Sequence, residues 1–220
     1  MELIARGRDA DVYALDDTRV LRRYREPRPT EREARLMAYL AECGYPVPRV
    51  YGHTATDMVL ERLGGPTMLG VLSRRPWQVG RLRRLLGELH DRLHALPAPQ
   101  WLPTRFSTGR DDRVLHLDLH PDNVILTDRG PMVIDWSNAR GGDPAADVAM
   151  TLVTIGSAQV PGLPARAGRG LLLRGVRAGT TTDPANHLAQ AARAKLTDPN
   201  LTPPEAAWLR RRTGTPHQDA

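Results

Sequence analysis

One stretch, Val114–Trp136 (V-L-H-L-D-L-H-P-D-N-V-I-L-T-D-R-G-P-M-V-I-D-W), constrains this chain more than any other. Three apolar runs, Val114-Leu115, Val124-Ile125-Leu126 and Met132-Val133-Ile134, flank a dense polar cluster. Asp128-Arg129-Gly130-Pro131 reads as a turn, because Asp and Gly tolerate the backbone angles that a tight reversal requires. The spacing predicts a hairpin, with His116, Asp118, His120 and Asn123 on the loop that enters it and Asp135 at its exit. A hairpin returns its ends to one place, so Asp118, Asn123 and Asp135 are expected to converge.

Two acids and a carboxamide at one point suit phosphoryl transfer. Asn and Asp oxygens hold Mg2+, a hard cation that shares its oxygen ligands with substrate phosphates. The remaining acid can orient a hydroxyl and accept its proton. For any one of the three residues alone, turn or cap chemistry is the plainer explanation; three in this order form a stronger pattern. His116, Asp118 and His120 offer a rival, since alternating residues share one face of a strand, as the ligands of a metal-dependent hydrolase can. Pro121 breaks such a strand, and His53, His90, His94, His187 and His217 are scattered, so phosphoryl transfer is preferred.

The order H-x-D-x-x-x-x-N, a short hairpin, then Asp after an apolar triplet resembles the catalytic and magnesium loops of protein kinases. The wording H-L-D-L-H-P-D-N-V-I-L followed by V-I-D-W is similar to the aminoglycoside phosphotransferase and choline kinase family, with His120 where protein kinases usually carry Lys and Asp135-Trp136 in place of Asp-Phe-Gly. The resemblance spans roughly Gly7 to Met150. It implies an α+β, two-lobed protein-kinase-like fold: a small antiparallel-sheet nucleotide-binding lobe over residues 1–63, and a mainly helical lobe carrying the hairpin over 64–220. The implied activity is transfer of the γ-phosphoryl group of ATP, or GTP, to an alcohol group of a small molecule. In that frame Asp118 acts on the hydroxyl and Asn123 and Asp135 hold Mg2+. His116 and His120 support the loop, and Asp147, from the D-P-x-x-D pattern, braces it. A catalytically weak, nucleotide-binding pseudokinase is the other class this pattern allows.

Upstream, Leu3-Ile4, Val12–Leu15 and Val20-Leu21, separated by Gly7-Arg8-Asp9 and Asp16-Asp17, predict three antiparallel strands. In the kinase-like frame Gly7–Asp11 covers the phosphates, although one glycine makes it a poor loop of that kind. The third strand carries no lysine; Arg22 matches the position of the family's phosphate-pairing lysine, and Arg23 points to the other face. Arg pairs phosphate or carboxylate bidentately and is not interchangeable with Lys. A helix opens at Thr30 and closes at Gly44. Glu33 on it is either the partner of Arg22 or the far end of a Thr30-Glu31-Arg32-Glu33 capping box, and both readings stay open. Strands at Arg49–His53 and Met58–Arg62 follow, and Gly64-Gly65-Pro66 breaks the chain. The resemblance makes Glu61, Arg62 and Leu63 the linker whose backbone meets the adenine ring.

Short and long helices are predicted over Thr67–Arg74 and Trp77–Leu96, the second with Leu82, Leu85, Leu86, Leu89 and Leu93 as its apolar stripe. His90 and His94 have metal-binding spacing but no third ligand in sequence, and read as a polar flank of a core helix. Gly141-Gly142-Asp143-Pro144 predicts a helix start with Asp143 as cap. Three short helices broken by Gly and Pro are expected after Gly156, the last opening at the Thr202–Glu205 capping box, and then a loose tail from Thr213.

Composition sets the remaining expectations. No apolar run reaches the length of a membrane span, and the single Cys43 suits a reducing cytoplasm. The net charge of +6 rests almost wholly on arginine, with Lys195 the one lysine. Those arginines are dispersed and aromatics are few, which disfavours nucleic acid as a partner. After Ser157 there are nine Arg and Lys against four Asp and Glu, a balance that favours a neutral or anionic acceptor over a polycation.

Overall fold

The computed structural model describes every residue except Arg8, Pro29, Thr108, Arg110 and 214–220, and of Pro164 only the backbone. Arg8 of the Gly7–Asp11 loop and nearly all of the expected loose tail lie outside the described residues. In chain order the elements are β1 (Glu2–Arg6), β2 (Ala10–Ala14), β3 (Arg19–Tyr24), α1 (Thr30–Glu42), β4 (Val50–His53), β5 (Asp57–Glu61), α2 (Met68–Arg74), α3 (Val79–His94), β6 (Arg113–Leu115), β7 (Val124–Thr127), β8 (Gly130–Val133), β9 (Arg140–Gly142), α4 (Pro144–Ser157), α5 (Leu163–Gly179), α6 (Leu188–Lys195) and α7 (Pro203–Thr213). The chain divides into two compact units: Met1–Thr67 with Asn123–Ala139, and Met68–Asp122 with Arg140–Ala220.

The first unit is built on an antiparallel sheet of order β1-β2-β3-β5-β4. α1 packs on β4 and β5 and buries Ala34, Leu36, Met37 and Leu40. It ends where Gly44 takes φ 73° and the Tyr45 amide donates to the Leu40 carbonyl at 2.8 Å, a reversal open to glycine because it lacks a Cβ. β7 and β8 pair from Val124↔Val133 to Thr127↔Gly130, so Asp128-Arg129 is the loop. Two backbone bonds and a bridge fasten this hairpin to its unit: Leu126 N to Pro66 O at 2.9 Å, Val133 N to Pro46 O at 2.8 Å, and Thr67↔Ile125. A Cβ added at Gly65 would lie 2.2 Å from the Leu126 carbonyl oxygen, so that approach needs glycine.

The second unit is mainly helical. α3 buries Leu82, Leu86, Leu89 and Leu93, while Leu85 is half-buried. α5 runs for 17 residues where short helices were expected. Gly175 and Gly179 are where α3 packs closely: a Cβ at Gly175 would lie 2.1 Å from Arg83 Cδ, and one at Gly87 of α3 would lie 2.6 Å from the Gly179 carbonyl oxygen. Gly141-Gly142 belongs to β9, paired with β6, rather than to the helix start. The helix starts as expected at Asp143-Pro144, where the Asp143 carboxylate accepts from the Ala145 amide at 2.8 Å and Pro144 holds the first position. At α7 the Glu205 carboxylate accepts from the Thr202 amide at 2.9 Å and its hydroxyl at 2.8 Å, closing a capping box.

Candidate active site

In the first unit the polar residues meet on a buried arginine. The register of β3 sets Arg22 between Val12 and Met58, and its side chain is 13% exposed. One guanidinium nitrogen donates to Glu33 Oε1 at 3.0 Å and another to Asp135 Oδ1 at 2.6 Å, while the guanidinium carbon lies 4.7 Å from the centre of the Tyr24 ring. Burial alone would lower the guanidinium's pKa; Asp135 and then Glu33 override it and hold the group above its ordinary value. Arg23 faces elsewhere and grips Asp57 with two nitrogens, at 2.9 and 2.8 Å.

Glu33 is spent on this cluster. Its oxygens accept from Arg22, from the Tyr24 hydroxyl at 2.6 Å and from the Trp136 amide at 3.1 Å. Thr30, the other half of the capping box, donates its hydroxyl to the Thr54 carbonyl instead. Burial raises the Tyr24 phenol's pKa, Arg22 opposes that, and Glu33 adds to the rise, so Tyr24 stays a neutral donor.

The hairpin sets Asn123 beside Asp135. The Ile134 amide donates to the Asn123 carbonyl at 3.0 Å, so Asp135 lies one residue past a closed pair. Asp135 has φ 67°, an angle that a short polar side chain tolerates better than a bulky one, and Ser137 Oγ donates to its Oδ1 at 3.0 Å. Trp136 anchors the exit: it is buried, donates its indole N–H to the Val133 carbonyl at 3.1 Å and meets Tyr45 edge-on at 5.6 Å. Asn123 and Asp135 offer oxygen donors at neighbouring places on one hairpin, a set that fits a hard divalent cation such as Mg2+. At the expected linker, the Glu61 amide donates to the Arg49 carbonyl and the Arg62 amide to the Thr18 carbonyl, both at 2.8 Å. The Glu61 carboxylate is also engaged, with Arg129 and with the Arg49 amide.

Asp118 belongs to the second unit. Leu117, just before it, has φ 62°, an unfavourable angle for a leucine. The two amides just before that rotated bond meet one carboxylate: His116 N donates to Asp147 Oδ2 at 3.1 Å and Leu117 N to Asp147 Oδ1 at 2.6 Å. His94 Nε2 meets the same Oδ2 at 2.9 Å and His90 Nδ1 stands 3.6 Å from it. His90 and His94 are therefore buried rather than a polar flank of the helix, because the sealed-in Asp147 gives them a partner. Together with Asp147 they form the one group of three potential metal-ligating side chains among the described residues. Thr151 of α4 completes the support, donating to the Leu119 carbonyl at 2.8 Å with its oxygen 3.1 Å from His90 Nε2.

These groups make the loop's support acid-sensitive. Burial would raise the Asp147 pKa, but His90 and His94 override it and hold the carboxyl far below 3.8. Burial depresses His90 below 6.5 despite Asp147. For both groups the unfolded chain binds the proton more readily, so their stabilisation is complete above the unfolded value and is lost as pH falls through the folded one. Thermal melts are therefore expected to drop as pH is lowered from 7.5 to 5, through the His90 window, and to steepen below pH 3.8 as the unfolded chain's Asp147 takes up a proton. Asp147→Ala, which strands the His116 and Leu117 amides, is expected to cost about 3–5 kcal/mol, the usual price of removing one partner from a buried ionic network. A flat melting temperature across pH 7.5–5, or an Asp147→Ala protein as stable as wild type by urea titration, would contradict this account.

Around the Asp118 carboxylate lie His120 Nε2, 3.6 Å from Oδ2, and Lys195 Nζ, 3.7 Å from Oδ1. Burial would raise the Asp118 pKa; His120, Lys195 and His116 outweigh it and hold the carboxyl below its ordinary value. The sequence alone assigns Lys195 no role. Its one available signal was compositional: a single lysine in a chain that otherwise uses arginine.

The antiparallel sheet with its helix and hairpin, followed by a helical unit, is the α+β protein-kinase-like fold of the aminoglycoside phosphotransferases. A sequence profile of the phosphotransferase enzyme family matches residues 1–111 and 100–182, and the chain belongs to that family. It is 28% identical over 175 residues to streptomycin 6-kinase of Streptomyces griseus, a match covering 62% of this chain and 55% of that protein. The chain thus spans about half the length of this curated relative. Its fold is similar to that of APH(2″)-IIa in a ternary complex with streptomycin and ATP, with TM-score 0.59, 12% identity and coverage of 89% of this chain and 84% of that one. It is likewise similar to a choline/ethanolamine kinase family protein from Mesorhizobium loti, with TM-score 0.61, 16% identity and coverage of 97% and 85%. None of the described helices is long and apolar enough to cross a membrane.

Proposed function

We propose that this chain is a small-molecule kinase that transfers the γ-phosphoryl group of ATP, or GTP, to a hydroxyl of its acceptor. The observation that carries the reading is the fixed cation: Arg22 is held by Glu33 and reaches Asp135, one of the two oxygen donors suited to Mg2+. In this reading Asn123 and Asp135 hold Mg2+, which neutralises phosphate charge when bound, and Arg22 pairs the phosphates. Asp118 orients the acceptor hydroxyl and takes its proton, while His116, His120 and Asp147 hold the Asp118 loop. At the linker, the committed Glu61 and Arg62 amides leave the base to the Leu63 backbone and the preceding carbonyls. ATP as donor is supported by the streptomycin–ATP complex of the structural neighbour.

Thermal melts with MgATP, MgGTP, zinc and a chelator test it. A ligand of the folded state at roughly a hundredfold excess over its Kd stabilises by about 2.7 kcal/mol. A rise in melting temperature with a magnesium nucleotide is the expected result; a rise with zinc alone would favour the hydrolase that uses His116, Asp118 and His120. Label transfer from γ-labelled ATP then separates a kinase from a nucleotide-binding pseudokinase, the reading favoured by a guanidinium already spent on two carboxylates. Streptomycin is the first acceptor to try, on the name of the curated relative. Neutral and anionic polyols belong in the same panel, given nine basic against four acidic residues after Ser157.

A further inference from the structure

We propose that Lys195 is a positioning residue for Asp118, holding that carboxylate charged and aimed from the end of α6; the inference rests on the phosphotransferase reading above. Lys195 closes α6, and only 11% of its side chain is exposed. Its ammonium stands 3.7 Å from Asp118 Oδ1 and 3.0 Å from Asp198 Oδ2. His120 faces the opposite oxygen of Asp118 at 3.6 Å, so the carboxylate lies between two nitrogen groups carried by different parts of the unit.

The mounting is rigid at both ends. Ala191 and Ala192 of α6 share one core with Leu115 and Leu117, the residues that lead into Asp118. On the other side, the Asp198 amide donates to the Lys195 carbonyl at 3.0 Å, closing the turn that keeps the Asp198 carboxylate against the ammonium. Burying an ammonium is costly unless carboxylates compensate it, and an apolar side chain would suit that core better on packing grounds alone. The residue type points the same way. This chain uses arginine for every other basic position, yet carries lysine where a compact point charge must fit between two carboxylates. The plain alternative is a salt bridge that serves Asp198 and the end of α6 only.

The single lysine makes the test direct. Brief acetylation of the intact protein at fixed pH, followed by mass spectrometry of the peptide containing residue 195, reports the reactivity of that amine. Coupling between two sites is reciprocal. If Lys195 sustains the Asp118 charge, Asp118→Asn speeds labelling at Lys195 several-fold, as does Asp198→Asn. The second arm follows hydrolysis of MgATP, with water as acceptor. Lys195→Met is expected to lower kcat by about tenfold or more with nucleotide KM held, Lys195→Arg to recover only part of that loss, and Lys195→Met to add little in an Asp118→Asn background. Unchanged labelling in Asp118→Asn, or a Lys195→Met effect that simply adds to that of Asp118→Asn, overturns the proposal and leaves a structural bridge. A wild-type protein with no nucleotide turnover but with Asp118-dependent labelling instead counts against the phosphotransferase reading and supports the pairing.

Discussion

Asp118→Asn is expected to lower phosphoryl transfer by about 10^2–10^4 while nucleotide affinity stays close to that of wild type, the loss typical of removing a positioned general base. The substitution keeps the side chain's shape and removes its charge. Asp118 is half-buried, and His120 and Lys195 hold its carboxyl ionised. An ionised carboxylate is the form that accepts a hydroxyl proton; a carboxamide cannot take its place. The stability cost is expected to be small, because Lys195 keeps Asp198 at 3.0 Å. Label transfer to the best acceptor of the panel, together with nucleotide titration by melting temperature, measures both quantities. A variant that phosphorylates as fast as wild type would show that Asp118 is not the group acting on the hydroxyl.

Arg22→Ala is expected to affect both activity and stability. If Arg22 pairs the phosphates as proposed, its loss leaves phosphate charge uncompensated, which corresponds to about 2–4 kcal/mol of transition-state stabilisation. In the free protein it strands Glu33, only 5% exposed, and removes a partner from Asp135. Removing one partner of a buried pair costs about 3–5 kcal/mol, and the partial exposure of Asp135 places the loss toward the lower figure. Arg22→Lys is the informative control: it restores the charge, but one ammonium on a shorter stem cannot reproduce a fork that reaches Glu33 and Asp135 through separate nitrogens. Part of both losses should return. Glu33→Gln should resemble a weaker Arg22→Ala, since Glu33 also holds the Tyr24 hydroxyl and the Trp136 amide. Wild-type turnover and nucleotide affinity in Arg22→Ala would mean that the phosphate cation comes from elsewhere. Arg23 is a poor substitute, because Asp57 engages it twice on the other side of the strand.

Elements whose causes are local could be read from the chain directly. Asp128-Arg129-Gly130 reverses the hairpin because its backbone angles are a property of those few residues, and Gly130 adopts φ 113°. Asp143-Pro144 starts α4 because a cap and a pre-set φ act within one turn. The strand pattern before Thr30 was legible for the same reason. Gly141-Gly142 was misplaced because a pair of glycines says nothing about its partner: the two enter β9, where a Cβ on Gly142 would lie 2.1 Å from the Arg105 carbonyl oxygen. α5 was misjudged because Gly175 looks like a breaker in isolation and is a contact surface for Arg83 in the fold.

The order of Asp118, Asn123 and Asp135 was thus fixed by sequence alone, as was the hairpin that sets Asn123 beside Asp135. Tertiary structure decided how each charged group is spent. The spacing of Glu33 served a cap and an ion pair equally well, and the choice fell to the arrival of Arg22, Tyr24 and Trp136 from other elements. His90 and His94 look like a wet flank until Asp147 is buried against them. Lys195 has no local pattern at all; only the packing of α6 against α4 brings it to Asp118. Electrostatic energy depends on distance in space and on burial, and a linear chain encodes neither except through the fold.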